Sequence, residues 1–264
     1  MNAVKPPRDG QLLSLDHGFI YFARHARSIA TRRHPGVILL SPQSKPLRLE
    51  TKGQSFEASA LVVAPRVVRS LYADNTPFAA LHVEPSHPAY RMFEFLPEEG
   101  GVCALSRRDF KAFDKSLAAY QMGTPNTAEV EDLFEGIVAR TQRFLGAPPA
   151  QDKRMTAIID YISRQPPEDY CFADLMDMAR LSAGRLSHLF TEQIGLSLRS
   201  FLIWRKTKEA IALFPTSETL TTIAHASGFA DSAHFCRTFQ KSLGLPPSRF
   251  RGDSCVQVYN LASS

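Results

Sequence analysis

Residues 222–251 read TIAHASGFADSAHFCRTFQKSLGLPPSRFR, a stretch that predicts two short helices joined by a tight turn and followed by a helical cap. The small apolar pair Ile223-Ala224 allows the first helix to pack closely against a neighbour. Gly228 supplies the positive φ that the end of a helix favours. Either Asp231 or Ser232 can cap the second helix at its N-terminus. The stretch therefore indicates a helix-turn-helix unit.

The second helix of this stretch has two distinct faces. Its apolar residues Phe235, Phe239 and Leu243 recur every four positions, which predicts a buried side. On a helical wheel of about 100° per residue, the opposite face is centred on Arg237 and carries donors, positive charge and small side chains. That face comprises Ala233, His234, Arg237, Gln240 and Lys241. A helix that enters the major groove of DNA needs such a surface.

A second helix-turn-helix unit of the same plan is predicted upstream. Helices are expected over residues 155–164, 172–179 and 183–194, and Ser182 is a candidate N-cap for the last of them. The outward face of that last helix comprises Gly184, Arg185, His188, Thr191 and Glu192, with Ser187 at its border. A connecting helix from Ser197 to Phe214 would be about 27 Å long at 1.5 Å per residue. Such a connector can hold two recognition helices about one duplex turn apart.

The pattern I-A-x3-G-F-x-D-x-A-H-F-x-R-x-F-x-K-x2-G-x2-P-x2-F-R, over residues 223–251, resembles the signature of AraC/XylS-type bacterial transcription regulators. The resemblance implies a DNA-binding domain with two helix-turn-helix motifs over residues 153–252 and a function in sequence-specific regulation of transcription. It also implies double-stranded promoter DNA as a partner, a homodimer as the assembly, and RNA polymerase as a further candidate partner.

The resemblance assigns the residues that would contact DNA. By motif position, base reading falls on Gly184, Ser187, His188, Ser232, Ala233 and Arg237. Contacts to phosphate or to the groove edge are expected from Arg185, Gln240 and Lys241. The first helix lacks the usual large cationic residues, so we expect it to add modest affinity while Arg237 reads bases. Lys206 stands where the family usually has Arg, and with Arg205 and Lys208 it is expected to be solvated.

Composition sets the broad class. A chain of 264 residues allows about two domains, and its 44% hydrophobic and 22% charged content is that of an ordinary soluble protein. The start lacks the apolar segment of a signal peptide, and no run approaches the roughly eighteen apolar residues of a membrane span. We therefore expect a cytoplasmic protein that does not contact membranes. The net charge of +5 favours an anionic partner, although the excess is spread along the chain.

The sequence gives little support for a metal site or a catalytic site. The cysteines form no C-x-x-C pair and the N-terminal histidines form no H-x-H pair, so we expect reduced thiols, scattered and partly exposed histidines, no metal and no cofactor. These residues are Cys103, Cys171, Cys236 and Cys255, and His17, His25, His34, His82 and His87. Two pairs of residues could be considered as catalytic pairs, namely Ser182 with His188 and Asp231 with His234. No third orienting group accompanies either pair, so we expect no enzymatic activity.

The N-terminal part has a different pattern. Short apolar runs separated by turn residues at roughly ten-residue spacing, over residues 17–85, predict a β-sandwich or small barrel. This part also resembles the cupin-like barrel that many AraC-type regulators carry. Two helices are predicted within residues 106–145, with an apolar stripe that either covers the barrel or pairs two subunits. The expected fold is therefore α+β, an N-terminal cupin-like β-barrel with flanking helices followed by an all-α domain.

The predicted organisation assigns an effector-sensing or dimerisation domain to residues 1–145, a proline-containing linker to 146–152 and a C-terminal tail to 253–264. We expect the first domain to bind a small organic effector, whose contact residues the sequence does not indicate. The alternative function is a ligand-sensing or scaffold protein with a degenerate DNA-binding half.

Overall fold

The computed structural model describes residues 10–41, 45–120, 126–147, 150–166, 170–251 and 256–262, with backbone only at residues 28–32. A domain rich in β-structure precedes a helical domain with two helix-turn-helix units, which confirms the predicted α+β class. Pro148 and Pro149 of the predicted linker, Gln121 and Cys255 lie outside the described residues.

The strands extend beyond the predicted range 17–85 on both sides. In chain order they are β1 (Gly10–Leu15), β2 (Gly18–Ala23), β3 (Ala26–Arg32), β4 (Gly36–Leu40), β5 (Leu47–Thr51), β6 (Gln54–Ala58), β7 (Ala60–Val63), β8 (Val68–Ala73), β9 (Phe78–Val83), β10 (Val102–Ala104) and β11 (Val256–Asn260). They form a seven-stranded sheet in the order β10-β7-β4-β9-β2-β1-β11 and a four-stranded sheet in the order β3-β8-β5-β6.

Apolar side chains fill the space between the two sheets. Because successive residues of a strand point to opposite faces, alternate positions of β4, β7 and β9 contribute to this core. Its members are Ala23, Val37, Leu39, Leu47, Leu49, Leu61, Val63, Leu71, Ala73, Phe78, Ala80 and Val102. The intervening positions, such as Ile38, Val62 and Leu81, face the other side of the seven-stranded sheet, where helices cover them. Strands buried on both faces explain the continuous apolar runs in the sequence.

Eight α-helices lie within the described residues. They are α1 (Asp114–Tyr120), α2 (Thr127–Leu145), α3 (Lys153–Arg164), α4 (Phe172–Ala179), α5 (Ala183–Ile194), α6 (Leu198–Leu213), α7 (Leu220–Ala226) and α8 (Ser232–Leu243). Short 3₁₀ helices cover Tyr90–Phe95, Arg107–Phe113 and Pro247–Phe250. The first helix predicted within 106–145 is therefore a 3₁₀ turn followed by α1. None of the described helices is both long and apolar enough to cross a membrane.

Helix α2 packs its apolar stripe on the seven-stranded sheet. Its buried residues include Val130, Phe134 and Ile137, which join the core on that side of the sheet. A Cβ atom at Gly18 would lie 2.3 Å from the ring of Phe134, so glycine is required for this close approach. The stripe therefore covers the sheet, as one of the two interpretations expected, whereas Phe144 at its end is 47% exposed.

The predicted C-terminal tail contains a strand. β11 adds to the edge of the seven-stranded sheet by pairing in parallel with β1, from Gly10 opposite Val256 to Ser14 opposite Asn260. The physical reason is visible in the local sequence, because Val256 and Val258 alternate with polar residues and the edge of β1 offers unpaired backbone groups. The segment that follows the helical domain is therefore part of the N-terminal sheet.

The hydrophobic cores also cross the predicted boundary. Leu12 of β1 and Phe19 of β2 belong to the same core as Trp204 of α6 and Phe235 of α8. A separate core joins α3, α4, α5 and the first half of α6. Consequently the second helix-turn-helix unit packs directly on the N-terminal sheet, while the first unit has a core of its own.

Candidate nucleic-acid interface and buried cationic cavity

The first helix-turn-helix unit consists of α4 and α5. Arg180 ends α4 in the left-handed region, with φ 52°, and the chain then turns into α5. Ser182 occupies the N-cap position, as expected, but its side chain makes no capping hydrogen bond. Leu186, Phe190 and Ile194 bury one side of α5, and Gly195 ends it with φ 73°.

The second unit consists of α7 and α8, and its turn matches the sequence prediction closely. Gly228 has φ 80°, and backbone N–H groups of Gly228 and Phe229 donate to the carbonyls of His225 and Ala224. This pair of bonds is a Schellman motif, which satisfies carbonyls at the end of α7. Asp231 caps α8, because its Oδ1 accepts a hydrogen bond from the N–H of His234 at 2.6 Å. That bond occupies Asp231 as a helix cap, the structural role expected for it.

The expected DNA-contact residues lie on two exposed helix faces. On α5 the exposed residues are Gly184, Arg185, Ser187 and His188. On α8 they are Ala233, Arg237, Gln240 and Lys241, while Ser232 at the helix start is half-buried. No atom lies within 4 Å of the position of a Cβ at Gly184, so this side of α5 is open. Both faces are accessible to a large partner.

The face of α5 also carries an acidic residue. Oε2 of Glu192 lies 3.7 Å from Nδ1 of His188, and both side chains are exposed. An exposed pair at this distance contributes little to stability. Its carboxylate would oppose a phosphate backbone, whereas the described face of α8 carries Arg237 and Lys241.

The connector α6 has 16 residues and is therefore about 24 Å long at 1.5 Å per residue. Three of its basic residues, Arg205, Lys206 and Lys208, are half-buried and have specific acceptors, contrary to the expected solvation. Nζ of Lys206 donates to the carbonyl of Gly228 and so holds the turn of the second unit. Nη2 of Arg205 donates to the carbonyl of Ser163 at 3.1 Å. Lys208 pairs with Glu84 of the N-terminal domain, since the helix packs on the sheet along this side.

A cleft of about 650 Å³ separates the two units on the side of their recognition helices. Ser187 and Thr191 of α5 line one side of it, and His234 of α8 lines the other. The cleft therefore belongs to the same concave surface as the two exposed faces.

A second cavity, of about 280 Å³, lies between the N-terminal sheets and the end of α8. Its lining is mostly apolar with several cationic side chains. One part of the lining comes from the N-terminal domain: Leu12, Phe19, Tyr21, His25, Ala26, Arg27, Arg33, Leu71 and His82. The other part comes from the end of α8 and the residues after it: Leu243, Leu245, Arg249 and Phe250. Because the space between the sheets is filled, this cavity lies at the border of the two domains.

Three basic side chains at or near this cavity, the half-buried Arg33 and the buried Arg69 and His82, have unsatisfied donors or acceptors. Among the described residues, Nε of Arg33, Nη2 of Arg69 and Nδ1 of His82 have no hydrogen-bond partner. Burial lowers the pKa of Arg33 to about 10. Burial also lowers the pKa of Arg69 and of His82, and the charge of Arg33 lowers both pKa values further. His82 is therefore neutral at pH 7. Within the described ranges neither arginine pairs with a carboxylate, so the guanidinium of Arg33 on the cavity wall carries positive charge that no carboxylate offsets.

Of the five N-terminal histidines, His82 and His87 are buried, contrary to expectation, whereas His17, His25 and His34 are at least partly exposed as expected. His82 is 2% exposed, and its ring stacks on Phe19 with centroids 4.1 Å apart. Nδ1 of His87 accepts from the N–H of Ala89 at 2.9 Å, so its other nitrogen donates to Glu135 at 3.0 Å. Across the described residues no group of three His, Cys, Asp or Glu side chains could hold a metal ion. Sequence reasoning missed the buried basic group because its members come from distant strands.

The helical domain is similar to domains of known proteins. A family model described as a helix-turn-helix domain matches residues 175–253. The arabinose operon regulatory protein of Escherichia coli is 32% identical over 116 residues, which is 43% of this chain and 40% of that protein. Uncharacterized HTH-type transcriptional regulators of Staphylococcus aureus are 34% identical over 114 residues, 43% of this chain and 15% of those proteins. The chain thus spans less than half the length of these relatives.

Solved structures extend the likeness to the whole fold. ToxT from Vibrio cholerae has a TM-score of 0.56 at 16% sequence identity, and the match covers 88% of this chain and 95% of that chain. Another ToxT structure, bound to (E)-4-(8-methylnaphthalen-1-yl)but-3-enoic acid, gives the same TM-score at 15% identity. A third holds an unsaturated fatty acid. At such identities the likeness concerns the fold. Over its helix-turn-helix domain, the chain is thus similar to HTH-type transcriptional regulators, among them the arabinose operon regulatory protein.

Proposed function

We propose that this protein is a sequence-specific DNA-binding regulator of transcription. The observation that carries the proposal is the pair of helix-turn-helix units, whose recognition helices α5 and α8 both expose their outward faces and are joined by the rigid α6. A recognition helix reads base edges in the major groove, and two joined units contact successive turns of one side of the duplex.

The two recognition helices have unequal roles in this proposal. Arg237 lies at the centre of the exposed face of α8, and its guanidinium fork matches the two acceptors of guanine in the major groove. Ser232 and Ala233 at the start of α8 permit close approach, while Gln240 and Lys241 contact the groove edge or phosphate.

The α5 helix offers Gly184, Ser187 and His188 toward bases and Arg185 toward phosphate. Because the acidic Glu192 shares this face, α5 contributes less to DNA affinity than α8 does.

The direct test is binding of the purified full chain to fragments of its own upstream region, at two salt concentrations. Specific binding that weakens with salt supports the proposal, because Lys and Arg release counterions from phosphate. Equal affinity for the upstream region and for random DNA would instead support the alternative, a ligand-sensing or scaffold protein with a degenerate DNA-binding half. Glu192 and Gly184 on α5 are the features that favour this alternative.

The effector in our proposal is a small amphipathic anion, such as a carboxylic acid, that occupies the cavity between the sheets and the end of α8. Two buried guanidinium nitrogens without a hydrogen-bond partner among the described residues, Nε of Arg33 and Nη2 of Arg69, favour a carboxylate, which accepts charge-assisted hydrogen bonds. Apolar neighbours such as Leu12, Phe19 and Leu243 suit the rest of such a ligand. The carboxylic acids held by ToxT support the same ligand class.

The cavity volume of about 280 Å³ is near the lower end of ligand sites, so the ligand should be small. Thermal denaturation with sodium octanoate as the probe tests this part. A rise in the melting temperature that saturates with octanoate concentration is expected, and its absence with octanoate and with shorter and longer carboxylates would contradict it.

Assembly and location remain proposals that rest mainly on the resemblance. We propose a homodimer that acts in the cytoplasm, where promoter DNA and RNA polymerase are found. Two exposed apolar side chains near the end of α2, Phe144 and Phe95, support a subunit contact at this place. Sedimentation of the full chain against a Phe144→Ser variant tests it.

A further inference from the structure

The C-terminal end of the helical domain is fastened to the first strand of the N-terminal sheet. β11 lies parallel to β1 over five residue pairs, and the N–H of Leu261 also donates to the carbonyl of Ser14 at 2.9 Å. Nearly the whole chain lies between these two strands. Closing a loop of this length is entropically unfavourable, so the pairing needs support from other contacts between the domains.

A buried ion pair is one of these contacts. Nζ of Lys208 on α6 lies 3.0 Å from Oε2 of Glu84, and the two side chains are 11% and 3% exposed. The same ammonium group donates to the carbonyl of Asp16. A buried ion pair of this kind adds little net stability but specifies one arrangement of the elements that it joins. Loss of one partner leaves the other charge buried and unpaired, which favours exposure of that charge to water. The pair therefore fixes where α6 sits on the sheet.

An aromatic stack continues the connection towards the cavity. Phe19 of β2 stacks on His82 and also on Trp204 of α6, with ring centroids 4.1 Å and 6.3 Å apart. Around this stack, residues of the sheet and of the second helix-turn-helix unit form one core. The first unit has a separate core, so the sheet is coupled more directly to α8 than to α5.

We propose that β11 and the Lys208–Glu84 pair form a latch that holds the second helix-turn-helix unit on the seven-stranded sheet and keeps the cationic cavity closed. The cavity has walls from both domains, with Arg33 and His82 on one side and Leu243 and Phe250 on the other. Opening the latch separates these walls. Occupancy of the cavity by a ligand and the position of α8 are thereby linked. The effect of that link on DNA affinity rests on the proposed function.

Hydrogen exchange of the full chain and of two latch variants, with and without sodium octanoate, tests the latch. Lys208→Ala leaves Glu84 without its partner, and a chain that ends at Arg251 lacks β11. Both variants should exchange about tenfold faster than the wild type in α6 and in the second unit, while the four-stranded sheet is unchanged. The double variant Glu84→Leu with Lys208→Met keeps an apolar contact and should exchange like the wild type. Glu209→Gln, on the same helix, is the matched control.

Wild-type exchange rates in α6 and α8 of both latch variants would overturn the proposal. Faster exchange that includes the four-stranded sheet would also count against it, because a latch opens only the boundary between the domains. DNA affinity gives a second readout, since octanoate should change the affinity of the wild type and have little effect on the shortened chain. If no variant binds promoter DNA, the proposed function fails, and the exchange rates still decide whether the latch exists.

Discussion

The guanidinium group of Arg33 covers Gly244, the residue that ends the recognition helix α8. A Cβ atom at Gly244 would lie only 2.5 Å from Nη2 of Arg33, and the backbone there has φ 81°. A half-buried basic side chain of the N-terminal domain is therefore in direct contact with the end of the helix that we propose to read DNA.

Gly244→Ala should destabilise the protein. An L-residue in the left-handed region costs about 1–2 kcal/mol, and the new methyl group would displace Arg33 as well. Chemical denaturation should show a free energy of unfolding lower by at least that amount. The matched control is Gly184→Ala in the first turn of α5, where nothing obstructs a Cβ and alanine should stabilise by up to about 1 kcal/mol. Equal effects of the two substitutions would contradict this interpretation.

Arg237→Ala and Lys241→Ala should affect DNA binding differently. Arg237 is placed to read guanine, so its loss should weaken operator binding by about 1–3 kcal/mol and flatten the preference at one base position. Lys241 lies one turn later and offers a point charge to phosphate, so its loss should weaken all sequences alike and lower the salt slope by about one. Binding of both variants to an operator library at two salt concentrations distinguishes them. The placement of α8 in the groove is wrong if only Lys241→Ala alters base preference.

Much of this helical domain could be predicted from the sequence, because its signals are local. The cap Asp231, the turn glycine Gly228 and the buried spacing of Phe235 and Phe239 lie within a few residues of the contacts that they make. The pairing of β11 with β1 and of Lys208 with Glu84 joins residues more than 120 positions apart, and no local pattern indicates which partner each one meets.

The cationic cavity was beyond sequence reasoning for a related reason. Arg69 and His82 look like ordinary polar positions within strands and Arg33 like a polar position between two strands, and only the folded sheets bring the three together. Conversely, Arg205, Lys206 and Lys208 resemble a solvated basic trio, although the structure gives each a specific acceptor.

Asp231→Ala should lower the melting temperature at neutral pH, because it removes the cap of α8. The hydrogen bond from the N–H of His234 lowers the pKa of Asp231 below its ordinary value of 3.8. Since the folded pKa lies below the unfolded one, the contribution of the carboxylate is complete above the unfolded pKa and is lost as the pH falls through the folded pKa. The difference between wild type and Asp231→Ala should therefore shrink in acid. Asp231→Asn keeps an acceptor and serves as the control; a difference that grows in acid would contradict the capping role.

Arg33→Met should stabilise the ligand-free protein or leave its stability unchanged. The substitution replaces a buried guanidinium, whose Nε is unpaired among the described residues, with an apolar side chain of similar length. The same variant should lose the stabilisation that octanoate gives the wild type, because the carboxylate no longer finds its donor. Melting temperatures with and without octanoate measure both effects, with the exposed Arg48→Met as the control. A destabilised variant that keeps the full octanoate response would exclude Arg33 as the anion site.

Selection of binding sites from a random DNA library, with the full chain as the bait, tests the central proposal most directly. We expect enrichment of a defined site with two short elements about one duplex turn apart, since in our proposal α6 holds the two recognition helices on one side of the DNA. The better-defined element should be the one that is lost with Arg237→Ala. A selected pool with no sequence in common, bound no more tightly than the starting library, would contradict the proposed function.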